Sequence, residues 1–318
     1  MQNKQISFKY PVPARKTVVP TDLMFEMESR TLAVHNLGGF VAWYGQAGAG
    51  KTTTAEWMRD RVNDAFEDNN PHAFKAVFYE VGKVKAGWGN EAKRALRSLY
   101  NAVTGMLLDE GVYGRNTAEE LADLIVQSAK RRRVQLAFVD EAGLLSIDAV
   151  SGLVLVADKA KQAGWLLNIV LIGMDDLPEK LSEKKRPQIF RRVHDWCYFR
   201  EYDVDQTADL LRELHPHFMA LDLDSITDWE QIKFVHEISG GLSGFIVQFL
   251  SRFDAQYQTA SEVINTRFLR AVNLRTVYDR RDIVAQAKRN GAALPQPVLT
   301  NGSVPAKSNG KGKNNAGN

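Results

Sequence analysis

The sequence predicts an α/β fold: a parallel sheet flanked by helices on both faces, followed by a small helical region. Two observations predict it. Short, continuously apolar runs alternate with helical stretches from residue 38 to about 202, and such runs belong to strands buried on both faces. Beyond 203 the strand signals stop and only helical stretches remain. A third, a glycine-rich loop between the first strand and the first helix, fixes the chemistry and is taken up below. Composition agrees: 318 residues suit about two domains, and 44% hydrophobic with 25% charged residues is ordinary for a globular protein.

The elements follow in order. Residues 1–21 hold Lys4, Lys9, Arg15 and Lys16, no acid before residue 20, and prolines at 11, 13 and 20. They read as an extended basic arm. GGFVAWYG (38–45) reads as a buried strand ending in Gly. A helix follows over 51–68. AFKAVFYEV (73–81) is aromatic and β-branched, hence a strand. Residues 90–109 place Ala92, Ala95, Leu96, Leu99, Val103 and Met106 on one helical face. Thr117 and Glu120 form a capping box opening a helix over 117–133. VQLAFVDE (134–141) and LLNIVLIG (166–173) read as strands, and DWCYFREY (195–202) as a fifth. Helical stretches cover 205–220, 228–239, 243–257 and 262–289. Residues 291–318, rich in Gly, Asn, Ser, Pro and Lys, read as a disordered tail, too polar to offset ordering entropy. The expected organisation is therefore an arm (1–21), an α/β subdomain (22–202), a helical lid with a C-terminal helix (203–290) and a tail (291–318).

Several function classes are excluded. The single cysteine, Cys197, permits no intramolecular disulfide and no Cys-based zinc site. The six histidines show no metal-ligand spacing. No apolar run reaches the ~18 residues of a membrane span, and the first residues lack the apolar stretch of a secretory leader. The expectation is a cytoplasmic protein with no membrane partner. Net charge is +3, unevenly distributed. Residues 1–20 carry +4 and 291–318 carry +3, so the rest carries −4.

The chemistry is concentrated in two motifs. GQAGAGKT (45–52) fits G-x-x-x-x-G-K-[ST], with a strand before and a helix after. Gly45, Gln46, Ala47, Gly48, Ala49 and Gly50 would present backbone N–H groups to ATP phosphates, helped by the positive end of the helix. Lys51 would neutralise the β/γ-phosphates, Thr52 would ligate Mg²⁺, and Thr53 completes the set. LAFVDE ends in Asp140 and Glu141. Asp140 would hold Mg²⁺ and Glu141 would act as base toward the attacking water. The acid pair points to hydrolysis as well as binding.

The unit at 74–109 lies between these motifs in sequence, leaving room for an extra strand between the P-loop strand and the Asp140 strand. That arrangement resembles the additional-strand ATPases, including the AAA+ class, with 203–290 as the lid. On that resemblance, the segment after LNIVLIG would carry a polar sensor; Met174 stands there, so sensing either falls to Asp175 or is weak. Arg191 and Arg192 in IFRRV stand where an arginine finger would reach a neighbouring subunit's nucleotide, with Arg192 preferred. The second sensor, usually Arg, is replaced by Gly244.

IFRRV, and its spacing from VLIG and on to SGG, is similar to the AAA+ transposition regulators of the MuB, TniB and TnsC type, over about 25–255. This resemblance implies ATP-dependent assembly as a ring or helical filament on duplex DNA, and stimulation of a transposase alongside a target-selection protein. It also places DNA contacts in the loop and helix after the second strand, at Lys83, Lys85, Lys93 and Arg94. A second basic cluster, Lys130–Arg133, is a rival DNA candidate or a set of cations answering its own helix dipole. Three other readings stand beside this one: a secretion ATPase of the ExeA type, a helicase or replication loader, and a slow nucleotide-gated adaptor, which Met174 and Gly244 favour.

Overall fold

The computed structural model describes residues 18–68, 70, 72–81, 91–107, 114–257, 264–270 and 272. The expected tail, most of the arm and of the 262–289 helix, Lys83 and Lys85 lie outside the described residues. In chain order the elements are α1 (Asp22–Ala33), β1 (Gly39–Gly45), α2 (Lys51–Asp64), β2 (Lys75–Glu80), α3 (Glu91–Thr104), α4 (Ala118–Arg132), β3 (Val134–Asp140), α5 (Ile147–Gln162) and β4 (Asn168–Gly173). Then come two single-turn helices, α6 (Leu177–Lys180) and α7 (Pro187–Phe190), and β5 (Val193–Phe199). From there the described elements are all helical: α8 (Val204–Leu214), α9 (Pro216–Met219), α10 (Ile226–Ser239) and α11 (Ser243–Tyr257).

The five strands form one sheet in the order β2-β3-β4-β1-β5, every pair parallel. The expectation of a strand between the P-loop strand and the Asp140 strand holds, but its identity is different from the one the sequence spacing suggested. β4 separates β1 from β3, while β2 lies at the sheet edge. Sequence adjacency misled because parallel neighbours need a crossover, which can skip a strand position.

Successive residues of a strand point to opposite faces, and β1 shows both environments. Phe40 and Ala42 join the core packed under α3, α4 and α5. Trp43, fully buried, donates its indole N–H to Thr31 Oγ1 of α1 at 3.1 Å and packs beside Phe138 and Phe199. The Thr117 capping box is formed. Two helices, α1 and α5, lacked a clear sequence signal. α5 carries four valines and isoleucines and a mid-helix Gly152, poor helix formers, and tertiary burial overrides that preference. Gly152 is there because a Cβ would meet the Ala92 carbonyl of α3 at 3.2 Å. No helix among the described residues is long and apolar enough to cross a membrane.

Arg30 of α1 clamps β5 with two hydrogen bonds to the Asp195 carboxylate, at 2.9 and 2.6 Å. Cys197 lies beside this pair, fully buried, and burial pushes its thiol up to about 12. Burial pushes the Tyr79 phenol up as well. Both groups are neutral in the fold and ionise more readily once unfolded. Their contribution to stability is therefore complete below the ordinary thiol value of 9.0 and is lost as pH rises toward 12. Cys197 should resist a thiol reagent in the native protein at pH 8 and react at once in denaturant. Urea midpoints should fall steeply between pH 9 and 12, and less steeply in Cys197→Ala. A thiol that titrates as a free one in the native state would refute this account.

Candidate functional site

Parallel strands bring the C-terminal ends of β1, β4 and β3 side by side. The sequence-predicted residues gather at that edge. The loop Gly45–Gly50 leaves β1, and Gly50 takes a left-handed conformation (φ 89°) as the residue capping α2. A side chain there is strained, and a Cβ would also stand 2.8 Å from Ser243 Oγ. The chain then enters α2 with its N–H groups directed at the loop's concave side, the arrangement that cradles an anion.

Lys51 is 8% exposed. Its ammonium donates to the Gly45 and Gln46 carbonyls, each at 2.7 Å. Burial lowers its pKa, opposed by the nearby Asp140, Asp175 and Glu141 carboxylates. A cation held by loop carbonyls in a partly desolvated site gains from an incoming phosphate. Thr52 Oγ1 donates to Asp140 Oδ2 at 2.6 Å, and Asp140 Oδ1 accepts from the Glu141 N–H at 2.8 Å. The two expected Mg²⁺ ligands therefore already meet, although β3 and β1 are not neighbours. They are hard oxygen donors, the type Mg²⁺ prefers, so the residues fit the ion. Glu141 is exposed and lies at φ 56°, left-handed for a residue with a Cβ. Such strain concentrates at functional positions. At the end of β4, Met174 is exposed, and so is Asp175.

The helical region after β5 contributes in a way the sequence did not reveal. The Gly244 N–H, at the start of α11, donates to the Gly48 carbonyl at 2.8 Å. A Cβ on Gly244 would lie 3.0 Å from that oxygen and 3.1 Å from Gly48 Cα. A side chain at 244 would be crowded because backbone meets backbone here. Between the start of α1 and α8 lies a cavity of about 370 Å³, lined by Val19, Thr21, Tyr202 and Leu210 and by the acids Asp22, Asp209 and Glu213 among others. The Tyr202 hydroxyl hydrogen-bonds Thr21 Oγ1 at 2.8 Å, and the Tyr202 N–H donates to the Gly241 carbonyl at 2.8 Å. This cavity went unnoticed in the sequence, where its one signal is the apolar run before Thr21.

The arginines separate. Arg192 is bound within the chain, to both Asp158 carboxylate oxygens at 3.0 and 2.9 Å and to the Gln188 carbonyl at 2.6 Å. Arg191 makes one longer contact, 3.3 Å to Glu183, and is far more exposed. Within the chain, Arg191 is the less engaged of the two side chains. Of the DNA candidates, Lys93 and Arg94 lie in the first turn of α3, half-buried. Arg94 lines a cleft with Tyr79 and Leu144.

Three substitutions test this geometry. Glu141→Gly should raise the melting temperature by about 2–4 °C, through relief of roughly 1 kcal/mol of left-handed strain. Glu141→Gln should leave it unchanged, and both should abolish ATP turnover. Gly244→Ala should weaken nucleotide binding, measured with a fluorescent ATP analogue, by pushing α11 from the loop. Unchanged affinity in Gly244→Ala would show that the lid contact does not shape the site.

Comparison with known proteins bears on the same edge. Residues 34–181 match the model of the AAA domain family. No curated protein matches the chain by sequence. Solved structures with a similar fold include the Aeropyrum pernix ORC2 protein in ADPNP–ADP complexes (14% identity, TM-score 0.55, 79% of this chain and 65% of that one). Drosophila ORC bound to DNA (18% identity, TM-score 0.54) is covered over 92% of this chain and 77% of that one. The Aeropyrum pernix ORC1 protein in complex with DNA (16% identity, TM-score 0.54) is covered over 84% and 68%. The chain thus spans about two thirds of the length of the first of these, and the likeness is one of fold. The parallel sheet, the P-loop and the matched AAA domain make this chain an ATPase with the AAA+ P-loop NTPase fold.

Proposed function

We propose that the chain is an ATP-dependent duplex-DNA-binding ATPase that assembles on DNA without sequence preference and regulates transposition, recruiting and activating a transposase at the target site. The observation that carries the nucleotide part is the meeting of Lys51, Thr52, Asp140 and Glu141 at one sheet edge. ATP phosphates would lie in the Gly45–Gly50 loop, and the base and ribose in the Val19–Tyr202 cavity. Lys51 would leave the Gly45 and Gln46 carbonyls for the β/γ-phosphates. Thr52 and Asp140 would hold Mg²⁺, which when bound neutralises charge on the phosphates. Glu141 would accept the proton of the attacking water, with Asp175 close enough to orient it. Arg191 would reach the nucleotide of the next subunit.

The DNA part is supported by Lys93 and Arg94. They occupy the first turn of α3, the positive end of the helix dipole, where cations are unfavourable for the helix itself. Their value therefore lies outside the helix, and phosphate is the matching partner. They share the nucleotide's edge of the sheet, so ATP occupancy and DNA contact are physically close. Similar folds in ORC bound to DNA agree with DNA as partner. Those same structures give weight to a second reading, a helicase or replication loader. Transposase stimulation separates the two: only a transposition regulator raises strand transfer by a cognate transposase.

Lys51→Ala should abolish ATP-dependent DNA binding, read by anisotropy of a labelled duplex with a non-hydrolysable ATP analogue. Filaments seen by negative stain with wild type should vanish with the variant. Undiminished ATP-dependent binding in Lys51→Ala would overturn the proposal.

A further inference from the structure

At the opposite edge of the sheet, the C-terminal ends of α2, α3 and α4 converge on the starts of β2 and β3. Between them is an open groove of about 480 Å³, within the ~300–1,000 Å³ usual for ligand clefts. Its charged lining is Lys75, Arg131, Arg132 and Arg133, against one acid, Asp68. Lys130 is exposed one residue away.

The helix dipole explains one or two cations at the end of α4, each worth about 0.3–1 kcal/mol. It does not explain the rest. Lys75 comes from β2, at a register shift between Lys75 and Ala76, and such bulges re-aim side chains. Arg133 is held left-handed (φ 59°), a position that glycine fills at lower cost. Its guanidinium donates to the Asp68 carbonyl at 3.0 Å and to the Asn70 carbonyl, fixing the groove wall. Lys75 and Arg133 lie over the Phe66 ring, 4.2 and 5.2 Å from its centre. Arg131 and Arg132 are exposed and have no hydrogen-bond or ion-pair partner among the described residues.

We propose that this groove binds the phosphates of a nucleic-acid backbone, giving each subunit a second contact at the edge remote from ATP. Two cations cap Phe66, and four of the five charged side chains lining the groove are basic. What remains on offer is two adjacent guanidinium forks, the geometry that matches phosphate oxygens. The volume exceeds what a single phosphate fills, so a chain of them fits better than a free anion. β2 and β3 span about 20 Å between the two edges. The groove is thus separate from Lys93 and Arg94, and its binding does not require nucleotide.

The test is anisotropy of a labelled duplex with the full chain, with and without a non-hydrolysable ATP analogue, over a salt series. Wild type, Arg131→Ala/Arg132→Ala and Lys93→Ala/Arg94→Ala are compared, with fluorescent-ATP affinity as the folding control. Nucleotide-free binding should weaken about tenfold in the Arg131/Arg132 variant. The slope of log K against log salt should fall by about 1.8, at about 0.9 per lost phosphate contact. The Lys93/Arg94 variant should keep nucleotide-free binding, and ATP affinity should hold in both. An unchanged slope in the Arg131/Arg132 variant overturns the groove. So does full displacement of DNA by inorganic phosphate at matched ionic strength, which would mark a free-anion site. Wild type that binds DNA only with ATP, through Lys93 and Arg94, also overturns the groove while sustaining the main proposal. Nucleotide-free binding lost with Arg131 and Arg132, but with no ATP-dependent component, sustains the groove and sinks the main proposal.

Discussion

The one-way direction of the five strands is the constraint on which the rest depends. Because β1, β4 and β3 are parallel neighbours, their C-terminal ends share one edge. The chain leaves that edge at Gly45, Gly173 and Asp140 and must turn there to enter a helix or loop. Each turn exposes backbone N–H groups or a short polar side chain at the same place. The P-loop, the acid pair and the Asp175 carboxylate are therefore consequences of sheet topology, and small ligands in open α/β sheets bind at this edge for the same reason.

The second consequence is a coupling between subdomain and loop. α11 touches the P-loop through the Gly244 N–H and the Gly48 carbonyl, with Ser243 Oγ 3.4 Å from the same oxygen. Phe245 covers Gly48 from the other side. The helical region thus reads the loop's backbone directly, with no charged side chain interposed. α11 also reaches back to α9, where buried His215 pairs with Asp254 at 2.8 Å. A phosphate that reshapes the Gly45–Gly50 backbone moves the acceptor that α11 holds, so loop and helix share one equilibrium.

Much of this was legible in the sequence, for stated reasons. The strands at 39–45, 134–140 and 168–173 were visible because strands buried on both faces are continuous apolar runs. The Thr117–Glu120 cap was visible because a capping box is local. The nucleotide residues were visible because phosphate binding demands glycine at fixed offsets before Lys51. What escaped depended on distant contacts. α5 is a helix only because its valines face the sheet and α3. Strand order hid because crossovers carry no local mark. The Arg192–Asp158 pair was not legible because its partners stand thirty-four residues apart. Gly244 read as a missing sensor, yet its lack of a side chain is what permits the lid contact.

The two edges of the sheet also differ in how they hold charge. At the nucleotide edge, Lys51 is buried and set against three carboxylates, so an anionic phosphate is best held there together with a cation. At the opposite edge Arg131 and Arg132 are exposed and the groove lining holds a single acid, so no ligand is needed to keep them charged. The first edge is therefore a switch, whose electrostatics change with occupancy. The second is a constant attraction, screened by salt and indifferent to nucleotide. A core carrying −4 with basic ends conceals both features in its net charge. In the proposed assembly, the constant term would supply proximity and the switched term would decide when the grip is tight.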